Sequence, residues 1–125
     1  MYDLKSEILN KELNKLETTE DIIGSAIVNR NGLLISSSLP RSIDERKFGA
    51  MAAAVFGAIE TAASELGNSD VVNNITVEFN DCQLIILGVN SQTILVVLIN
   101  LEINLGLIFI EIEESIKDIQ KILEK

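Results

Sequence analysis

The sequence contains no histidine and no tryptophan, and only one cysteine and one proline in 125 residues. Without histidine, the chain has no Ser-His-Asp or Cys-His nucleophile arrangement and no His-ligated metal site. A single cysteine, Cys82, excludes an internal disulfide framework and is typical of a protein from a reducing compartment. We therefore expect a protein that is not an enzyme and that holds no cofactor and no metal.

Basic residues are also scarce, with 10 Lys and Arg against 19 Asp and Glu, which gives a formal net charge of -9. Binding to a phosphate backbone or to an anionic lipid surface depends on an excess of cations. The longest apolar runs, 84–89 and 94–99, are far shorter than the ~20 residues that span a bilayer. The first residues lack the apolar core of a signal peptide. We therefore expect no nucleic-acid partner, no membrane and a cytoplasmic location.

The apolar pattern predicts a single domain over residues 1–125, since 47% of the chain is hydrophobic and one core can form. An amphipathic helix near the N-terminus precedes two short apolar runs, Ile22 to Val28 and Leu33 to Ser38. The turn residues 29–32 between the runs predict a hairpin. Ser42 or Asp44 can cap a long helix that begins near Ile43 or Glu45 and stops at Gly67.

Three further apolar runs, 71–79, 84–89 and 94–99, are separated by turn residues and predict an antiparallel meander. Apolar residues at spacings of four and three between Leu105 and Leu123 predict a final helix. The predicted fold is α+β in the order α-β-β-α-β-β-β-α, with a largely antiparallel five-stranded sheet. Strands one, four and five are apolar on both faces, so helices should cover both faces of the sheet.

The long helix carries no charge between Phe48 and Ile59. Its bulkier face, which we expect to pack on the sheet, consists of Phe48, Met51, Ala52, Val55, Ile59, Ala62 and Leu66. The opposite face carries Gly49, Ala53, Phe56 and Gly57. Small residues at intervals of four let another backbone approach closely, which favours a protein partner on this face. Two alternatives are that another element of the same chain covers the small residues, or that they form a featureless surface.

The third strand alternates apolar Ile75, Val77 and Phe79 with polar Thr76 and Glu78, as an edge strand with one buried face does. An unpaired edge is prone to aggregation unless another chain pairs with it. The predicted dimer interface therefore consists of the four residues Gly49, Ala53, Phe56 and Gly57 together with Ile75, Val77 and Phe79.

Three segments in this order resemble the roadblock/dynein light chain family: the glycine-containing hairpin from Gly24 to Ile35, the alanine-rich segment Met51 to Ala54, and Ile103 to Leu107. The resemblance spans nearly the whole chain. It implies a homodimer or heterodimer in which the long helices pack together and the third strands join two sheets. It also implies a non-enzymatic role, since members bind or regulate Ras-like small GTPases, serve as scaffolds or act as dynein light chains.

A stand-alone chain of this kind is most similar to the prokaryotic members. These are thought to pair with a cognate small GTPase and, in bacterial cell-polarity systems, to promote its hydrolysis of GTP. The resemblance therefore implies a dimeric regulator or scaffold for a Ras-like small GTPase. The alternative is a dimeric assembly subunit of a signalling complex whose partner is not a GTPase.

The polar residues along the long helix that we expect to bind the partner are Arg46, Glu60 and Ser64. An arginine finger would supply transition-state charge to a bound GTPase, and Arg30, Arg41 and Arg46 are the only arginines. We interpret all three mainly as solvated loop charges. Promotion of hydrolysis would then come from positioning the GTPase's own residues. Cys82 is interpreted as a small strand residue.

Overall fold

The computed structural model describes residues 4–19, 21–67, 71–101 and 105–124. Its elements are α1 (Leu4–Glu17), β1 (Ile22–Asn29), β2 (Leu34–Ser38), α2 (Glu45–Ser64), β3 (Asn74–Glu78), β4 (Cys82–Gly88), β5 (Thr93–Asn100) and α3 (Leu105–Glu124). This confirms the predicted α+β order. Ile103 and Asn104, which belong to the third segment of the family resemblance, lie outside the described residues.

The five strands form one sheet in the order β2-β1-β5-β4-β3, and every neighbouring pair is antiparallel. The central strands β1, β5 and β4 are buried on both faces, as their continuous apolar runs require. The two edges are β2 and β3. The prediction that the third strand lies at an edge is therefore confirmed.

Helices cover both faces of the sheet, as predicted. On one face, Leu9 and Leu13 of α1 and Ile112 and Ile119 of α3 are fully buried in a core cluster. On the other face, α2 packs over β1, β2 and β5. Asp44 caps α2, because its side chain accepts a hydrogen bond from the Lys47 backbone N–H at 3.2 Å.

The two faces of α2 differ from the sequence prediction at most positions, although Ala52 and Phe48 pack in the core as predicted. Gly49, Ala53 and Phe56 are buried against the chain's own sheet. Met51 is 62% exposed, and Leu66, just past the helix, is 70% exposed. The expectation that Gly49, Ala53 and Phe56 contact a second chain is therefore wrong, because the sheet already covers them.

Close packing explains why the small residues face inward. A Cβ atom on Gly49 would lie 3.2 Å from Cγ2 of Val28, so glycine lets α2 approach β1 closely. Ala53 is 5% exposed on the same buried face. The alternative in which an element of the same chain covers these residues is right for Gly49 and Ala53. Gly57 differs, because it is exposed and nothing lies within 4 Å of its Cβ position.

Candidate partner-binding surfaces

One flank of α2 is apolar and exposed. We call it the apolar stripe, and it consists of Met51, Val55, Ile59 and Leu66. The first three are spaced four residues apart and so lie one above the other on the helix surface. Val55 and Ile59 are 44% and 43% exposed, although both are large aliphatic side chains. A continuous row of such side chains without charges is typical of a protein–protein contact.

The opposite flank of α2 is polar. Arg46 and Ser64 are separated by a whole number of helical turns, so they share one angular position, and Gly57 and Glu60 lie close to it. Ser64 is exposed, and its Oγ donates a hydrogen bond to the Thr61 carbonyl at 2.6 Å. The structure therefore brings the predicted partner-binding residues Arg46, Glu60 and Ser64 together on one flank, away from the apolar stripe.

Arg30 links this flank to two turns of the sheet. Its Nη1 lies 2.5 Å from Oε1 of Glu60, and its guanidinium stacks 5.0 Å from the centre of the Phe56 ring. Its Nη2 donates to the carbonyl of Asn90 in the β4–β5 turn at 3.0 Å. Gly88 leaves room for this group, since a Cβ there would lie 3.3 Å from Nη2. Arg30 is thus a structural tie between the β1–β2 turn, α2 and the β4–β5 turn.

The edge strand β3 has free main-chain groups. The Phe79 N–H donates to the Cys82 carbonyl at 2.8 Å, and pairing positions alternate along an antiparallel ladder. The peptide groups of Thr76 and Glu78 therefore point away from β4. Within the described ranges, no residue hydrogen-bonds to these outward groups.

The apolar side chains of β3 lie on the face of the sheet that α2 covers. Ile75 and Val77 are half-buried against the core cluster to which α2 contributes, and Phe79, just past the strand, is 49% exposed. The involvement of Ile75, Val77 and Phe79 in a dimer stays a prediction.

A sequence model of the Roadblock/LC7 domain matches residues 8–99. The chain belongs to the Roadblock/LC7 family. The matched region runs from α1 through β5, so it contains both flanks of α2 and the β3 edge. An uncharacterized protein of Methanocaldococcus jannaschii is 38% identical over 114 residues, which are 90% of this chain and 97% of the relative.

Solved structures of Roadblock/LC7 proteins have the same fold. MglB of Myxococcus xanthus superposes with a TM-score of 0.90 at 26% identity, over 99% of this chain and 93% of MglB. A Roadblock/LC7 domain from Streptomyces avermitilis gives a TM-score of 0.86 at 18% identity, over 93% of this chain and 98% of that domain, which shows the fold alone.

This Roadblock/LC7 domain also has an acidic cavity between α1 and α3, of about 260 Å³. Burial and the nearby Asp118 carboxylate raise the pKa of Glu12, while Lys15 and a hydrogen bond from Ser115 Oγ oppose the rise.

In the part of the chain that the structure describes, no group of three or more His, Cys, Asp or Glu side chains could hold a metal ion. None of the described helices is long and apolar enough to cross a membrane.

No sequence pattern indicates the role of Arg30 as a tie between the two turns and α2. Its partners Glu60 and Asn90 lie 30 and 60 positions away along the chain, so only the folded topology brings them together. The residues of the apolar stripe, in contrast, are recognisable in the sequence as large aliphatic residues at helical spacing, but their size wrongly predicts that they pack on the sheet.

Proposed function

We propose that this Roadblock/LC7 chain is a dimeric regulator or scaffold that binds a Ras-like small GTPase and performs no chemistry of its own. The observation that carries the proposal is the division of α2 into an exposed apolar stripe and a polar flank. One helix thus offers a surface for self-association and a separate surface for a different protein. The family resemblance supports a small GTPase as that protein.

In the proposed dimer, the apolar stripe and the β3 edge meet their symmetry-related copies. A fully buried aliphatic side chain contributes about 1.5–3 kcal/mol, and a half-exposed one about half of that. Two copies of the stripe would therefore contribute roughly 8 kcal/mol, which is comparable with the 4–15 kcal/mol cost of association. The stripe alone is marginal, so pairing through β3, with Ile75, Val77 and Phe79 at the contact, adds the remaining stabilisation.

The GTPase would bind the polar flank, where Arg46, Glu60 and Ser64 lie and where the exposed Gly57 permits close approach. This flank lies on the side of α2 opposite the apolar stripe, so one GTPase per dimer is expected only if the bound GTPase also reaches across the two-fold axis and blocks the second copy of the surface. Arg30 is engaged with Glu60 and Asn90. This engagement removes Arg30 as an arginine finger. We expect any stimulation of hydrolysis to come from positioning the GTPase's own residues.

The dimer is tested by replacing Val55, in the middle of the apolar stripe, with aspartate. An unpaired carboxylate buried at an interface costs about 3–5 kcal/mol, so Val55→Asp should weaken association more than about 100-fold. Thr61→Asp, on an exposed part of α2 outside the stripe, is the control and should remain a dimer. Light scattering on a sizing column at tens of micromolar protein measures both. A wild-type chain that is monomeric under these conditions would contradict the proposal.

The GTPase is tested by titration with purified Ras-like small GTPases from the same cell, each loaded with GDP or with a non-hydrolysable GTP analogue. Ser64→Arg on the polar flank should reduce affinity about tenfold, because a long charged side chain obstructs the contact. Lys117→Glu, on the outer side of α3, should leave affinity unchanged. If no GTPase binds in either nucleotide state and a different protein does, the chain is an assembly subunit instead.

A further inference from the structure

A groove lies between the β1–β2 turn and the first turns of α2. Its volume is about 350 Å³, and it is lined by Gly32, Leu33, Leu34 and Arg46. This is near the lower end of the range for ligand pockets, so it has room for about one large side chain of a partner. We call it the hairpin groove.

The wall formed by the turn is fixed in place. Gly32 has a φ of +94° and lies against α2, since a Cβ atom added at this position would lie 3.5 Å from the Cα of Ala50. The Gly32 N–H donates to the Asn29 carbonyl at 2.8 Å, and the Asn31 N–H donates to the Asn29 side chain at 2.6 Å. A preformed groove loses little conformational entropy when a ligand enters it.

The rim of the hairpin groove combines an apolar and a cationic group. Leu33 is 68% exposed at the turn, a position where polar residues are usual. Arg46 is exposed and makes no salt bridge with any described residue. Of the neighbouring acids, Asp44 caps α2 and Glu45 accepts a hydrogen bond from Ser37 Oγ, and neither forms a salt bridge with Arg46.

The charge around the groove differs from that of the whole chain. Segment 41–47 contains three of the 10 basic residues, Arg41, Arg46 and Lys47, and two acidic ones, so it carries a net charge of +1 in a chain whose net charge is -9. Repulsion from the distant acidic residues is screened beyond about 8 Å at physiological salt. A carboxylate at the groove is therefore attracted by the nearby cations.

We propose that the hairpin groove binds a segment of the protein partner in which a carboxylate stands next to a large apolar side chain. This inference rests on the proposed function, since the segment belongs to the GTPase that contacts the polar flank. The apolar side chain enters the groove beside Leu33 and Leu34. The carboxylate accepts hydrogen bonds from the Arg46 guanidinium, which can bind both oxygens at once.

The test uses a synthetic peptide, acetyl-Asp-Glu-Leu-Phe-Glu-amide, followed by amide NMR spectra of the full chain. We expect saturable shifts confined to the signals of Gly32, Leu33, Leu34 and the first turns of α2. A peptide with Asn and Gln in place of the acids, and one with Gly-Gly in place of Leu-Phe, should each bind at least about threefold more weakly. Arg46→Gln and Leu33→Ser should weaken binding similarly, whereas Arg41→Gln, which lies outside the groove, should change it less.

The outcomes separate this inference from the proposed function. Shifts spread over other surfaces, or equal binding of the amide peptide, would overturn the inference even if a GTPase binds normally to the wild-type chain. Shifts of the groove signals with protein concentration alone would also overturn it, since a second copy would then be the occupant. Peptide binding in the groove without any GTPase partner would overturn the proposed function, and would show that the groove recognises this chemistry in another protein.

Discussion

The two edge strands of the sheet differ in whether their outward main-chain groups are hydrogen-bonded. At the β2 edge, Ser6 Oγ donates to the Ile35 carbonyl at 3.0 Å, and Asn10 Nδ2 donates to the Ser37 carbonyl at 2.8 Å. Side chains of α1 thus occupy main-chain groups that another strand would use. At the β3 edge, the outward peptide groups of Thr76 and Glu78 have no hydrogen-bond partner among the described residues.

This difference determines what kind of assembly the sheet can form. A sheet with two open edges can add strands at both ends and grow into a fibre. A sheet with one covered and one open edge can pair only once, and a two-fold axis then closes the assembly. The asymmetry between β2 and β3 therefore favours a dimer of joined sheets, which is the arrangement proposed above.

Among changes at the two sheet edges, the largest effect is expected from removing an outward donor of β3. Thr76→Pro removes an outward N–H, and proline is tolerated on an edge strand whose N–H faces solvent. Because the dimer is two-fold symmetric, the substitution removes two main-chain hydrogen bonds per dimer, at about 0.5–1.5 kcal/mol each. We expect the dimer dissociation constant to rise roughly 5- to 150-fold, measured by analytical ultracentrifugation.

Thr76→Ala keeps the N–H and is the matched control, so it should retain the affinity of the wild-type chain. The circular-dichroism spectrum and melting temperature of Thr76→Pro establish that the monomer still folds. A folded Thr76→Pro protein with unchanged dimerisation would show that β3 is not paired across the interface.

The fold could be predicted from sequence wherever one pattern excluded the others. Alternation of Ile75 and Val77 with polar residues identified β3 as an edge, and Asp44 was one of two predicted caps. The faces of α2 could not be assigned, because both lack charge over its middle. The larger side chains of Met51 and Val55 predicted that these residues pack in the core. The close approach of α2 to Val28 instead requires glycine at position 49.

The sequence could place the candidate partner-binding residues on α2, whereas their role in binding stays a prediction. Arg46, Glu60 and Ser64 are polar residues of the long helix in the sequence, and in the structure they lie on one flank of α2. The blocked β2 edge was not predicted, since the hydrogen bonds from Ser6 and Asn10 join residues more than 25 positions apart. Such contacts depend on how α1 lies across the sheet, which periodicity does not specify.

A smaller effect is expected from uncovering the β2 edge. Asn10→Ala removes the donor to the Ser37 carbonyl, and the higher helix propensity of alanine offsets part of the loss. We expect a decrease of about 0.5–1 kcal/mol in the free energy of unfolding, measured with urea. Hydrogen exchange of the β2 amides should become faster.

Lys11→Ala, at the adjacent exposed position of α1, is the control and should leave exchange in β2 unchanged. Asn10→Ala should not impair dimerisation through β3. If it abolished the dimer, the β2 edge and not the β3 edge would lie at the interface.

The smallest effect concerns the other side of α1, where Glu12 faces Asp118, Lys15 and Ser115 across the acidic cavity. Burial and Asp118 raise the pKa of Glu12 in the folded chain, so the folded state binds this proton more tightly than the unfolded state does. Ionised Glu12 therefore reduces stability at neutral pH, and the loss is recovered as pH falls through the folded pKa.

Glu12→Gln should raise the free energy of unfolding at pH 7 by a few tenths to about 1 kcal/mol, a modest amount because the group is largely solvated. The gain should disappear below about pH 4, where the Glu12 carboxyl of the wild-type chain is protonated in both the folded and the unfolded state. Urea unfolding from about pH 3 to about pH 8 measures it, with Glu65→Gln at the far end of α2 as the control for removal of one charge. A gain that is the same at every pH would mean that the substitution acts through packing or helix propensity. A gain confined to neutral pH would instead show that the charge on Glu12 limits how firmly α1 is held on α3, and thereby how well it covers the β2 edge.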